Sequence, residues 1–273
     1  MIINGLPVDS INANDRGLMY GDGVFRTLLI RQGKLFLWQQ HYAKLQQDCA
    51  GIGIKCPSIQ SLESDLQQLL VTHSKQINEA VVKIVITRGP ATRGYAPTLN
   101  PQISRILTLS PLPEYPPSFA SEGIKIHLCN LRLGHQPRLA GIKHLNRLEN
   151  VLAAGEWNDV TISEGIMFDQ DEHLIEGTRS NLFLVRNARL YTPDLTKCGV
   201  AGLQRERVIE YARQNKLVCK ITELSMDDLL AADEIFMVNS VIGLWPVREL
   251  PRFKCDHFPV SLQIQEWLSN DSN

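Results

Sequence analysis

The sequence predicts an α/β fold of two domains, a smaller N-terminal one and a larger C-terminal one. Runs rich in β-branched residues alternate with segments of helical apolar spacing along the whole chain, which is the pattern of mixed α/β folds. Prolines cluster at residues 111–118 (PLPEYPPS), a composition typical of a linker. We therefore expect an N-terminal α/β domain over 1–112, a linker over 113–120 and a C-terminal domain over 121–273.

The composition is that of an ordinary globular protein of 273 residues, with 44% hydrophobic and 21% charged residues. A formal net charge of −1 lacks the positive surplus that drives binding to nucleic acids or anionic membranes. No apolar run approaches the roughly 20 residues of a transmembrane helix, and the N-terminus does not resemble a signal peptide. We expect a cytoplasmic protein without a nucleic-acid or membrane partner. The six cysteines are scattered, which predicts reduced thiols and no metal site.

Local patterns predict the elements of both domains. In the N-terminal domain, the sequence predicts strands over 24–30, 81–89 and 104–112 and helices over 38–50 and 59–72. In the C-terminal domain, it predicts helices over 144–157, 203–215 and 260–269 and hairpins over 165–177 and 181–193. Ser225 and Asp228 have the spacing of a capping box, which indicates a further short helix.

Four features of the C-terminal half suggest chemistry. Lys143 follows a small-residue turn; most lysines in such places are solvated, but a desolvated one can form a Schiff base. Glu176 ends a strand beside a glycine, as an ordinary turn residue or as a carboxylate that keeps a heterocyclic nitrogen protonated. The loop 199–204 leads into a helix N-terminus, which suits a phosphate. A turn at 239–241 offers a hydroxyl and amides. Together these groups meet the requirements of pyridoxal phosphate.

On these motifs the chain resembles the fold-type IV pyridoxal-phosphate enzymes, the family of branched-chain and D-amino-acid aminotransferases and 4-amino-4-deoxychorismate lyases. The similar segments lie in the family's order and are DRGLMYGDGVFRTL (15–28), ITRG (86–89), GIKHLNRLENVLA (141–153), EGTRSNLF (176–183), GVAGLQR (199–205) and ADEIFMVNSV (232–241). The resemblance implies a mixed, barrel-like sheet in the C-terminal domain, with the cofactor between the two domains. It also implies a homodimer.

The resemblance further implies roles for individual residues. Lys143 is implied to be the Schiff-base lysine and Glu176 the partner of the pyridine nitrogen. The other implied cofactor-binding residues are Lys44, Asn181, Leu203, Gln204, Asn239, Ser240 and Val241. Lys44 stands where the family usually has an arginine, so the charge is kept but the bidentate fork is lost. Arg179 stands where a small residue is usual, and the sequence offers no reason for it.

Local features favour the lyases of this family over its aminotransferases. The residues after Lys143, HLNRLEN, and the loop 87–100 are similar to the lyase pattern. The implied substrate is 4-amino-4-deoxychorismate, which would lose pyruvate and leave 4-aminobenzoate. Thr27 is implied to serve the departing enolpyruvyl group.

Three residues are candidates for binding the substrate: Arg93, Tyr95 and Arg26. Arg93 is the first choice for a substrate carboxylate, although a solvated loop charge explains it about as well. Two other functions stay open. One is a D-amino-acid or branched-chain aminotransferase of the same fold, and the other is a non-catalytic protein that binds a phosphate ligand.

Overall fold

The structure is a computed structural model that describes residues 1–72 and 77–270. It divides into two compact units, each built on its own sheet. The first unit comprises Met1–Pro113 with Ile142–Asn146, and the second comprises the rest of the chain. Over the described residues, no helix combines the length and the apolar composition needed to cross a membrane.

The first unit is a six-stranded antiparallel sheet with helices that bury its core. Its strands are β1 (Ile2–Ile3), β2 (Leu6–Pro7), β3 (Gly23–Arg31), β4 (Lys34–Leu35), β5 (Glu79–Thr87) and β6 (Ser104–Ser110), in the spatial order β2-β1-β6-β5-β3-β4. Its helices are α1 (Arg16–Tyr20), α2 (Trp38–Gly51) and α3 (Ile59–Thr72).

Alternation along β3 separates two faces of this sheet. Val24, Leu28 and Ile30 are fully buried, and they pack with apolar residues of α2 and α3 such as Leu45 and Leu62. Phe25 and Thr27 point to the opposite face, because successive side chains of a strand alternate. That second face carries the candidate catalytic groups of the first unit.

The second unit has a mixed nine-stranded sheet in which β7 pairs in parallel with both β8 and β14. Its strands are β7 (Ile124–Leu133), β8 (Ile162–Asp169), β9 (Leu174–Gly177), β10 (Asn181–Arg186), β11 (Arg189–Pro193), β12 (Cys219–Thr222), β13 (Glu234–Asn239), β14 (Gly243–Leu250) and β15 (Phe253–Lys254). Its helices are α4 (Ser118–Ser121), α5 (Leu148–Ala154), α6 (Leu203–Gln214), α7 (Met226–Leu230) and α8 (Pro259–Asn270). The capping box of α7 is present as predicted.

Three sequence expectations differ from the structure. The segment 113–120, expected to be a linker, packs on the second unit, because Tyr115 and Phe119 lie edge-on against Trp245 and α4 begins within it. Lys143 was expected in the C-terminal domain, but Ile142–Asn146 groups with the first unit through main-chain bonds to β3. The helix expected over 144–157 begins only at Leu148.

The six thiols are free. Burial, with nearby carboxylates, raises the pKa of Cys129 and of Cys198 to about 12, so both stay protonated at neutral pH. Cys198 lies within metal-ligand reach of His135 and Asp169, but these two side chains already bond each other, with 2.8 Å between Nε2 and Oδ2. His135 and Asp169 are therefore satisfied as a hydrogen-bonded pair.

Candidate active site

Lys143 is held by its main chain against the first unit's sheet. The Phe25 N–H donates to the Lys143 carbonyl at 3.0 Å, and the Leu145 N–H donates to the Gly23 carbonyl at 2.9 Å. The Lys143 main-chain amide favours the ionised form of Asp48 on α2, while burial raises the pKa of that carboxyl. The half-buried Lys143 side chain extends over β3, with Nζ 4.6 Å from the centroid of the Phe25 ring.

The sheet face under this amine carries further polar groups. Thr27 lies two residues beyond Phe25 and shares its face. Lys83 on β5 is the register partner of Thr27, and its Nζ lies 4.9 Å from the same Phe25 ring. Two amines and a hydroxyl are therefore presented on one face. Lys83 was missed in the sequence, although a lone charge within the apolar run VVKIVIT was a signal for it.

Arg26 faces the other way, into the core of the first unit. It is 3% exposed, forms an ion pair with the equally buried Asp48, and donates to the Lys44 carbonyl at 3.4 Å. The expectation that Arg26 binds substrate is therefore wrong, because its guanidinium is on the face opposite to Phe25 and Thr27. Lys44 on α2 is also buried, at 6% exposure. Asp48 is a second residue that the sequence reading missed.

Arg93 and Tyr95 lie on an exposed loop between β5 and β6. The loop is anchored by Arg16, whose guanidinium donates to the carbonyls of Gly94 at 2.9 Å and Tyr95 at 2.7 Å. Arg16 also pairs with Asp22 at 2.8 Å, which fixes the guanidinium in place. The side chains of Arg93 and Tyr95 remain exposed while their main chain is held.

Glu176 is the buried carboxylate of the second unit. It is 4% exposed at the end of β9, and its Oε2 accepts the Val200 N–H at 2.8 Å. This bond ties β9 to the loop that precedes α6. A buried carboxylate must be paired or hydrogen-bonded, and the Val200 amide supplies one such bond.

The loop before α6 is shaped by Asn181. Its Nδ2 donates to the Val200 carbonyl at 2.8 Å, and its Oδ1 accepts the Gly202 N–H at 3.1 Å. α6 starts at Leu203 with no side-chain cap on Gly202. The amides of Leu203 and Gln204 are in the first turn, where a helix offers no internal acceptors. Asn181 is therefore a support of the candidate phosphate loop.

The turn after β13 is organised by the side chain of Asn239. Its Oδ1 accepts the N–H groups of Val241 at 2.8 Å and Ile242 at 2.9 Å, and its Nδ2 donates to the Arg179 carbonyl at 3.1 Å. The Val241 amide is thus used within the turn, contrary to its expected role as a phosphate donor. Asn239 shapes this turn, and Ser240 is one of the residues within it.

Glu164 on β8 holds the turn that joins Glu176 to Asn181. This carboxylate, 1% exposed, accepts bonds from the Thr178 amide at 3.1 Å, the Thr178 hydroxyl and the Ser180 hydroxyl at 2.8 Å. Sequence reasoning missed it, since an isolated acid in a strand has no motif.

Arg179, unexplained in the sequence, has partners in this turn. Its Nε lies 3.6 Å from Glu164 Oε2, and its Nη2 donates to the Ser163 carbonyl at 2.6 Å. The guanidinium also lies over the Tyr115 ring, 5.8 Å from the centroid. Arg179 thus helps to fix the turn that follows Glu176.

Comparisons with known proteins place this chain in a family. The sequence model of amino-transferase class IV matches residues 23–250. An aminodeoxychorismate lyase of Vibrio harveyi is 34% identical over 262 residues, which cover 94% of each chain. A putative branched-chain-amino-acid aminotransferase of Methanocaldococcus jannaschii is 29% identical over 255 residues, 91% of this chain and 86% of the relative.

Among solved structures, a 4-amino-4-deoxychorismate lyase from Pseudomonas aeruginosa matches with a TM-score of 0.91. It is 40% identical and the match covers 99% of this chain and 98% of that one. The predicted fold class and the resemblance inferred from the sequence are thereby confirmed. The chain belongs to the amino-transferase class IV family.

Proposed function

We propose that this protein is a pyridoxal-phosphate-dependent lyase that converts 4-amino-4-deoxychorismate to 4-aminobenzoate and pyruvate. The observation that carries the proposal is the face of β3, where the Lys143 amine lies over the Phe25 ring and Thr27 supplies a hydroxyl beside it. Relatives named as this lyase, at 34% and 40% identity over nearly the whole chain, support the same activity.

The residues of the chain suit pyridoxal phosphate. Lys143 supplies an amine, and the buried Glu176 supplies a carboxylate for the pyridine nitrogen. In the loop before α6, a Cβ at Gly202 would lie 2.3 Å from Asn181 Oδ1, so any side chain there would displace the Asn181 side chain. A loop packed this tightly brings main-chain amides close to a bound anion. When bound, the cofactor withdraws electrons from the amine-bearing carbon of the substrate, which acidifies its proton.

The protein's own groups then perform the proton transfers. The Lys143 amine removes the proton from the amine-bearing carbon, and the bond to the enolpyruvyl ether oxygen on the adjacent carbon breaks. Thr27 hydrogen-bonds that departing oxygen, and the enolpyruvate takes up one proton to become pyruvate. The carbon ring becomes aromatic, so the overall step is favourable and the protein mainly lowers the barrier to proton removal.

Positively charged side chains are needed to bind the substrate carboxylates. Lys83 is on the face of Phe25 and Thr27, and Arg93 is on a loop whose main chain Arg16 anchors. We assign carboxylate recognition to these two side chains and include Tyr95, next to Arg93, in the substrate-binding loop. Around the cofactor phosphate, the proposed donors are Lys44, Ser240 and the amides of Leu203 and Gln204.

The decisive experiment supplies 4-amino-4-deoxychorismate to the purified, cofactor-loaded chain and measures both products. We expect pyruvate and 4-aminobenzoate in equal amounts. Lys143→Ala should lower the rate by roughly 10³-fold or more and should lose the adduct trapped by borohydride. Lys55→Ala, at an exposed lysine, is the matched control and should keep both. A loaded wild-type chain that releases neither product would refute the proposal.

The second candidate function is an aminotransferase of the same fold, which the 29% identical relative from Methanocaldococcus jannaschii supports. Only an aminotransferase should convert its bound cofactor to the amine form when a D- or branched-chain amino acid is added alone. An absorbance scan with each amino acid separates the two functions.

We also propose that the enzyme is a homodimer, as its resemblance to the family implies, and that it acts in the cytoplasm. Sedimentation velocity of the loaded chain should then show a species of twice the mass of one chain. A monomer at micromolar concentration would contradict the homodimer.

A further inference from the structure

The loop 88–103, which joins β5 to β6, carries the substrate-binding candidates Arg93 and Tyr95 at its tip. Arg93 is exposed and Tyr95 is 83% exposed, so the tip lies outside the hydrophobic core. A side chain that meets a substrate carboxylate in one place needs a main chain that is held in one place. The conformation of the tip therefore depends on its bonds to the rest of the first unit.

The stem of this loop is closed by Asp15, the residue before α1. Its carboxylate is fully buried, and its Oδ2 accepts hydrogen bonds from the hydroxyls of Thr87, at 3.0 Å, and Ser104, at 2.6 Å. These two residues stand at the two ends of the loop, so one carboxylate fixes the distance between them. The Arg16 N–H also donates to the Gly89 carbonyl at 3.0 Å. The stem is therefore held by the segment that begins α1.

The tip of the loop is held by the Arg16 side chain, which is 5% exposed. Its Nη1 donates to the Gly94 carbonyl at 2.9 Å, and its Nη2 donates to the Tyr95 carbonyl at 2.7 Å. The guanidinium also lies over the Tyr20 ring, 5.1 Å from the centroid, and that ring lies 5.2 Å from the ring of Tyr95. Two main-chain groups and one ring of the tip are thus placed by residues of α1.

Asp22 orients the Arg16 guanidinium and is shared with a second arginine. Asp22 Oδ2 accepts hydrogen bonds from Nε of Arg16 and from Nε of Arg88, both at 2.8 Å. Arg88 donates its two other nitrogens to the carbonyls of Gly53, at 2.8 Å, and Ile52, at 2.7 Å. One arginine is enough to pair the Asp22 charge, so that pairing does not by itself require Arg16. What Arg16 adds is the pair of bonds to the loop tip.

We propose that Arg16 is a positioning residue for substrate binding, and that it acts by holding the tip that presents Arg93. The proposal rests on the proposed function, which makes Arg93 a partner of a substrate carboxylate. A contact that is equally strong in the ground state and in the transition state affects KM rather than kcat. Loss of Arg16 should therefore weaken substrate binding and leave the chemical step at Lys143 nearly intact.

The test compares Arg16→Ala with the wild type in the full-length, cofactor-loaded protein. Arg16→Ala leaves Asp22 paired with Arg88, so no unpaired charge is buried. We expect KM for 4-amino-4-deoxychorismate to rise by roughly 10-fold or more, while kcat stays within about 3-fold. Amide hydrogen exchange of the peptide that contains residues 93–95 should become at least about 10-fold faster.

A second comparison asks whether Arg16 acts through the tip. An Arg93→Ala/Tyr95→Ala background lacks the side chains that Arg16 positions, so adding Arg16→Ala there should change KM by less than about 3-fold. A merely structural role would give the same factor in both backgrounds, because the effects of independent sites add. Arg16→Lys keeps the charge but loses the planar fork, so its KM should lie between those of Arg16→Ala and the wild type.

Arg132 on β7 provides the matched control. Its Nε pairs with Glu172 Oε1 at 2.7 Å, and its Nη1 donates to the Cys129 carbonyl at 2.7 Å, which are the kinds of bond that Arg16 makes. It belongs to the second unit and holds no part of the loop 88–103. Arg132→Ala should therefore leave both KM and the exchange of the loop tip at their wild-type values.

Three results would each overturn the proposal: a wild-type KM in Arg16→Ala, unchanged exchange at the tip, or equal factors in the two backgrounds. If Arg16→Ala does not fold, Arg16→Lys decides by the same readouts, and wild-type values overturn the proposal. A loaded wild-type chain that releases neither product refutes the proposed function by itself. Because exchange needs no turnover, it then still decides whether Arg16 holds the tip.

Discussion

Replacing Glu164 by glutamine removes one charge from the turn that joins Glu176 to Asn181. In the wild-type protein, Glu164 Oε1 accepts hydrogen bonds from the Thr178 amide at 3.1 Å, the Gly165 amide at 3.0 Å and the Thr178 hydroxyl. Glu164 Oε2 accepts a hydrogen bond from the Ser180 hydroxyl at 2.8 Å. Glutamine has nearly the same volume, so the packing of β8 is preserved. The variant therefore isolates the contribution of the charge to the turn.

The magnitude follows from the bonds. A hydrogen bond to a charged acceptor contributes about 1.5–3 kcal/mol and a neutral one about 0.5–1.5 kcal/mol. In Glu164→Gln, the three hydrogen bonds to Oε1 remain but lose their charge assistance. The new amide nitrogen takes the place of Oε2, which in the wild-type protein lies 3.6 Å from Arg179 Nε. Arg179 is half-exposed, so that ion pair adds little. The lost charge assistance, about 1–1.5 kcal/mol for each bond, is partly offset because a neutral amide is less costly to bury than a carboxylate, so we expect Glu164→Gln to lower the unfolding free energy by about 2–3 kcal/mol.

Urea unfolding at neutral pH measures this loss, and the same samples report cofactor retention by absorbance. The dissociation constant of pyridoxal phosphate should rise, because the turn supports both Glu176 and Asn181. Glu249→Gln is the control: its carboxylate is more than one-third exposed and lies 3.7 Å from Lys125 Nζ, so its loss should cost under about 0.5 kcal/mol. If Glu164→Gln costs no more than Glu249→Gln, the turn does not depend on the buried charge.

Two further changes test other parts of the structure. Gly202→Ala forces the Asn181 side chain to give up its two main-chain hydrogen bonds. We therefore expect the free energy of unfolding to fall by about 2 kcal/mol and an absorbance titration to show weaker cofactor retention. Gly134→Ala is the control and should change neither quantity, because the added Cβ would lie no closer than 3.5 Å to another atom. Burial alone would raise the pKa of Asp22, but the two arginines bonded to it hold that pKa below its usual 3.8. Its stabilising contribution is therefore present above pH 3.8 and is lost as pH falls through the lower folded value. Asp22→Asn should cost about 1 kcal/mol at pH 7, and thermal unfolding at acid pH should show the difference from wild type shrinking; a constant difference would contradict this reasoning.

The sequence by itself determined the family and most of the secondary structure. Apolar spacing predicted helices over 38–50 and 59–72, and the structure has α2 at Trp38–Gly51 and α3 at Ile59–Thr72. Such spacing is local information, because a helix that buries one face must repeat its apolar residues with the period of the helix. The capping box before α7 was equally readable, since both of its partners lie within one turn.

Tertiary structure alone decided which side chains support the reactive ones. Alternation along β3 puts Arg26 on the face of Val24 and Leu28, but no local pattern reveals that Asp48, 22 residues later, pairs with it there. The links from Glu164 to its turn and from Asn181 to the loop before α6 likewise join residues from different elements. A buried charge is tolerated only where a partner from elsewhere in the chain satisfies it, and that partner is known only when the chain is folded.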